Sequence, residues 1–157
     1  MKLLFIPILT ITFLLGSCNY IPCSSSSDLS SISEIPKLSL IAGIYKPDKF
    51  TKQDFREYSN ADSVMLILTE DNKIVLKNFP IETFDIFNTS HKTVNGSGTW
   101  TFGSQSGKIN IDTKISFDQP GIVQQPPFKL FKKSDKYYVL IDFGDPDVCS
   151  SVRLEQQ

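Results

Sequence analysis

Few side chains in this 157-residue chain are of types that do chemistry, and their spacing narrows the choices quickly. The only histidine, His91, lies in the polar stretch Asn88-Thr89-Ser90-His91-Lys92, with no metal-ligand partner at local spacing. Asp142, Asp145 and Asp147 form an acidic cluster of the kind that can hold a hard cation. They lack the glycine and the distal glutamate of a calcium loop, so Asp-Pro-Asp reads first as a turn. No Gly-x-Ser-x-Gly occurs, and a lone histidine builds no serine triad. The expectation is therefore a protein that is not an enzyme and carries no metal or cofactor. The remaining reactive groups are three thiols: Cys18, Cys23 and Cys149. Cys18 ends an apolar run, where a free thiolate at a bilayer surface could be alkylated.

That run has the form of an export signal. Lys2 supplies the positive charge, Leu3 to Leu15 are almost continuously apolar, and Gly16-Ser17 are the small residues a signal peptidase accepts. The segment is shorter than the roughly 20 residues of a spanning helix. Leu15-Gly16-Ser17-Cys18 resembles the lipobox of bacterial lipoproteins. The resemblance implies cleavage after Ser17, removal of residues 1–17 as a signal peptide, and thioether-linked diacylglycerol (with a further acyl chain such as palmitate) on Cys18. Two or more chains anchor stably where one does not. The implied partner is then the membrane, and the implied location is the cell envelope. Asn19 in place of aspartate after the cysteine favours the outer membrane by likeness to enteric lipoproteins.

Residues 18–38 are serine-rich, with an unbroken run from Ser24 to Ser27, and are expected to form a flexible tether. With Cys18 acylated, Cys23 and Cys149 remain. They form an intrachain disulfide, stay as free thiols, or bridge to another protein; an oxidising compartment permits any of these. The 16 Lys+Arg against 17 Asp+Glu give a formal charge of −1, one unit more negative without Lys2. Such a balance argues against a nucleic-acid partner.

Residues 39–157 are long enough for one domain with one core. Along Lys108–Asp118, Ile109, Ile111, Thr113, Ile115 and Phe117 alternate with polar residues, which predicts a strand with one buried face. Ser63–Thr69 is apolar on both faces and is expected to be covered on both. It pairs with Ile74–Phe79 across a polar turn. Further strands are expected at Leu40–Lys46, Gly98–Phe102, Phe128–Lys133, Lys136–Phe143 and Val152–Glu155. Gly103–Gly107 is expected as a turn. At most a short helix falls near 51–58, capped by Thr51. About eight hairpin-linked strands predict an all-β fold, an antiparallel barrel or a strongly bent sheet. A barrel of that size is filled by side chains or holds one small ligand.

Gly43-Ile44-Tyr45, the hairpin around Leu66–Leu76, Gly98-Thr99-Trp100 and Gly144-Asp145-Pro146-Asp147 together resemble the lipocalin-like lipoproteins of Bacteroidetes. The resemblance spans most of Ser39–Glu155. Lipocalins carry Gly-x-Trp on their first strand, whereas here it falls in mid-chain. It implies a lipocalin-like β-barrel that binds a small apolar molecule. In such a barrel Tyr45, Trp100, Phe102 and Phe117 floor a pocket; otherwise they are core. The alternative function is a protein-interaction module of the envelope, an assembly accessory or an inhibitor, with a solid interior. Asn88-Thr89-Ser90 and Asn95-Gly96-Ser97 match N-glycan acceptors, and Asp62-Ser63-Val64 matches a short O-glycan acceptor; none is expected to decide function.

Overall fold

The structure is a computed structural model and describes residues 26–55, 63–85, 87–88, 90–122, 125–143 and 151–157. The lipobox-like residues 15–18, with Cys18, as well as Cys23, Cys149 and the turn expected at Gly144–Asp147, lie outside the described residues.

Among the described residues nine strands run β1 Ser30–Ser31, β2 Gly43–Pro47, β3 Met65–Leu68, β4 Lys73–Pro80, β5 Thr93–Gln105, β6 Lys108–Phe117, β7 Phe128–Lys133, β8 Lys136–Asp142 and β9 Ser151–Gln156. Strands β2 to β9 pair antiparallel with their sequence neighbours, and β9 pairs back onto β2. An eight-stranded up-and-down barrel is thereby closed, with β1 as an extra strand outside the ring. Closure, and not a bent open sheet, is the architecture. It removes the free sheet edges that an open form would expose.

Local chemistry explains the hairpins. Ser106-Gly107 is a two-residue loop with positive φ at both positions, and Ser134 supplies the positive φ between β7 and β8. Asn72, also at positive φ, closes the β3–β4 turn and donates its side-chain amide to the Trp100 carbonyl. These three tight turns share one end of the barrel, opposite the end at which β2, β4, β6 and β8 finish. The tight-turn end is capped by a one-turn helix, α1 Leu38–Ile41, which buries Ile41. The Tyr45 hydroxyl donates to the Ile41 carbonyl at 2.6 Å.

β5 and β6 are the longest strands, and their tight coiling needs Gly98: a methyl there would overlap the Lys114 carbonyl of β6. A bulge in β4 at Lys77-Asn78 lets both Leu76 and Phe79 point inward. Asn78 adopts φ 54°, and its amide is satisfied by the Asn95 side chain.

The seam between β6 and β7 has only two paired positions, Asn110↔Lys129 and Ile111↔Phe128. The chain fills both gaps. Ser30 and Ser31 pair with Lys132 and Phe131 at one end, and Ile32 accepts from the Ile109 amide. At the other end the Gln125 side chain bonds both the amide and the carbonyl of Ile115, in place of a neighbouring strand.

Several expectations shift. Within the segment read as a tether, Ser30 and Ser31 form β1 against β7. The strand expected at Leu40–Lys46 divides into α1 and β2. The helix expected near 51–58 is α2, Lys49–Asp54, and its N-cap is Asp48: the carboxylate accepts from the Phe50 and Thr51 amides at 3.0 Å each. Thr51 instead exchanges hydrogen bonds with the backbone of Arg153. The expected Gly103–Gly107 turn shrinks to Ser106-Gly107, because β5 continues through Gln105.

Candidate functional site

A ring of alternating strands sends every second side chain to its axis. Tyr45, Leu66, Ile74, Phe128, Val139, Ile141, Val152 and Leu154 reach that axis and are 0 % exposed. A side chain beside a water-sized void keeps accessible surface on that void. These keep none, so no such void lies against them.

The four aromatic residues singled out from sequence do not meet on one floor. Trp100 is buried near the tight-turn end, its indole N–H donating to the Thr69 carbonyl at 3.2 Å. Phe102 meets it edge-on, with centroids 5.3 Å apart. Phe117 belongs to a second group: its ring is 4.8 Å from Phe84, which is 5.9 Å from Phe79. Tyr45 is committed to α1 through Ile41. Burial and its neighbour Tyr137 push the Tyr45 hydroxyl above the ordinary tyrosine range, so it stays a neutral donor. Aromatic groups thus occupy both ends of the interior.

His91 approaches a carboxylate after all. Its backbone amide donates to Glu82 Oε1 at 3.0 Å, and its Nδ1 is 3.9 Å from the same atom. The ring is mostly exposed, and among the described residues the pair belongs to no group of three or more His, Cys, Asp and Glu that could hold a metal ion. Asp142 is tied to Lys129 Nζ, while Asp145 and Asp147 lie outside the described residues. Among the described residues no cluster of His, Cys, Asp and Glu could hold a metal ion.

The most organised polar assembly is one that the sequence reading missed. Arg153, outward on β9, is only 5 % exposed. Its Nε lies 2.8 Å from Asp48 Oδ2, and its Nη1 and Nη2 donate to the Asp28 carboxylate at 2.6 and 3.1 Å. The guanidinium stacks over Tyr138 at 5.0 Å and Phe50 at 5.4 Å. Lys133 also pairs with Asp28 at 2.5 Å. These partners hold the Asp28 carboxyl well below the usual carboxylate range, Arg153 more than Lys133. The cluster clamps the N-terminal segment and α2 onto the barrel wall. Its one sequence signal is an arginine, one of two in the chain, set between the buried Val152 and Leu154.

Ser63–Thr69 also departs from expectation. Leu66 and Leu68 point inward, but Met65 and Ile67 stay half-exposed on the outer wall. Beside them an open groove of about 500 Å³ is lined by Val75, Lys77, Asn95, Ser97, Ser116, Phe117 and Asp118. Its Asp118 carboxylate already accepts from the Asn95 backbone and side chain. Among the described residues, no helix is long and apolar enough to cross a membrane. No family model, no curated protein and no solved structure matches this chain.

Proposed function

We propose that the mature protein is a lipoprotein anchored in the cell envelope, through acyl chains on Cys18, whose barrel is a solid interaction module. The anchoring half of the reading is supported by the run Leu15-Gly16-Ser17-Cys18 at the end of an export-type leader. Asn19 supports the outer membrane as its destination. The module half rests on one observation: the inward side chains of Tyr45, Leu66, Ile74, Phe128, Val139, Ile141, Val152 and Leu154 are 0 % exposed, and Ile109, Ile115 and Tyr137 keep only 5–7 %. A carrier needs vacant volume in its unliganded state, or side chains that move aside at a cost in packing. A rigid barrel with a filled interior works through its outside, as a module that binds another envelope protein.

A second reading is favoured by strand number, because eight strands enclose just enough space for one small apolar molecule. Native mass spectrometry of the protein purified from membranes separates the two. A chain free of co-purified lipid, with no saturable binding of an apolar fluorescent dye, fits the module. A stoichiometric lipid in the barrel, lost in Trp100→Ala, overturns it. The same spectra test the anchor: the expected product lacks residues 1–17 and carries diacylglyceryl on Cys18.

A further inference from the structure

Strand register lines up Ile44, Ile67 and Val75 in one row across the outer face of β2, β3 and β4. Outward positions of a closed barrel face water, and three β-branched apolar side chains abreast are not what solvent selects there. Ile44 is 43 % exposed, and Ile67 and Val75 are half-buried. The row continues through Ser97 and Ser116, where the groove opens beside Val75. Lysines border it on the same face. Lys73 and Lys77 flank Val75 along β4, Lys46 follows Ile44 on β2, and Lys114 precedes Ser116 on β6. Lys73 is paired with Asp71 at 2.5 Å. Lys46, Lys77 and Lys114 take part in none of the ion pairs found among the described residues.

We propose that this wall docks a protein partner that presents an apolar ridge flanked by carboxylates. The lysine border sets the charge of the occupant, since complementary rims steer and orient association. Position argues against a bilayer as occupant. The N-terminal segment is clamped at Arg153 on β9 and Lys133 on β7, which centres it on β8; round the ring, Ile44 on β2 is two strands from β8, Ile67 on β3 three and Val75 on β4 four. This step rests on the lipoprotein reading: Cys18 precedes Asp28 by roughly ten residues, at most about 36 Å of extended chain. An anchor on so short a leash draws the β7–β9 wall toward the membrane and turns the β3–β4 end of the row, where the groove opens, to the aqueous side.

The test places a benzophenone amino acid at Ile44 or Val75, and at Lys129, outward on β7, as control, in the full-length protein in its native cell. The expected result is a crosslink from both wall positions to one and the same protein, absent from Lys129. Its yield should fall about tenfold when Lys46, Lys77 and Lys114 are all changed to Glu, three rim charges at about twofold each. Crosslinks to lipid alone, a yield indifferent to the charge reversal, or no adduct at either position overturns the assignment. A protein adduct seen only from Lys129 refutes this wall while leaving the interaction module standing. Failure of the anchor is read separately, from an unmodified Cys18 in the intact mass.

Discussion

Arg153→Ala should be the most costly single change on the outside of the barrel. The Asp48 side chain is 4 % exposed, and the guanidinium Nε at 2.8 Å is its countercharge. Removing one partner of a buried ion pair costs roughly 3–5 kcal/mol, because the other charge is left in a poorly solvating environment. Asp48 keeps its two hydrogen bonds to the first amides of α2, which places this part near the lower figure. Loss of the stacking on Tyr138 and Phe50 adds about 0.5–1 kcal/mol. The two contacts to Asp28 add little, since that carboxylate is 37 % exposed and solvent screens it. The sum is about 4 kcal/mol, or a fall in Tm of about 12 °C for a chain of this size. Urea denaturation of the full set Arg153→Ala, Asp48→Asn and the double variant measures it. Asparagine keeps the helix cap, so the arginine should matter about 2 kcal/mol less once Asp48 is neutral. A loss below about 1 kcal/mol in the single variant, or no coupling in the cycle, would refute the claim that a buried charge pair fixes α2 to β9.

Other outcomes follow from the same structure. Trp100→Ala empties a large buried site at the tight-turn end and should cost about 3–5 kcal/mol in urea denaturation. Gly98→Ala pushes a methyl onto the Lys114 carbonyl, so it should destabilise by about 1–3 kcal/mol and speed amide exchange along β5 and β6. Gln125→Ala removes both side-chain bonds to Ile115, and hydrogen exchange should show that amide losing protection while β8 and β9 keep theirs. Asp28 has a lowered carboxyl pKa in the folded state. Its stabilising effect is present above the unfolded carboxylate value and is lost as pH falls toward the folded one. Stability should therefore drop below about pH 4, by a small amount given the exposure of the group. Asp28→Asn should flatten that part of the profile; an unchanged acid limb would show that the clamp contributes nothing.

Much of the barrel was legible in the residues. The alternation of Ile109, Ile111, Ile115 and Phe117 marks β6 because a strand half in water must alternate, and Ser134-Asp135 marks a hairpin because few residues tolerate positive φ. The β5 extension through Gln105 was hidden by Gly103 and Ser104, turn-like by composition but held in the ladder by β6. Strand number is a local property of sequence, so sequence reached it. Closure is not, because β2 meets β9 only after every intervening strand has coiled by the right amount. Nor is the fate of Trp100 and Phe117: period-two spacing puts both inside, while the tilt of the strands sends one to each end of the axis. The Arg153 clamp joins residues from positions 28, 48 and 153, and the row Ile44, Ile67 and Val75 exists only through cross-strand register. Sequence determined which face each residue takes on its own strand; the tertiary structure alone decided which neighbours share that face, because register is a relation between strands.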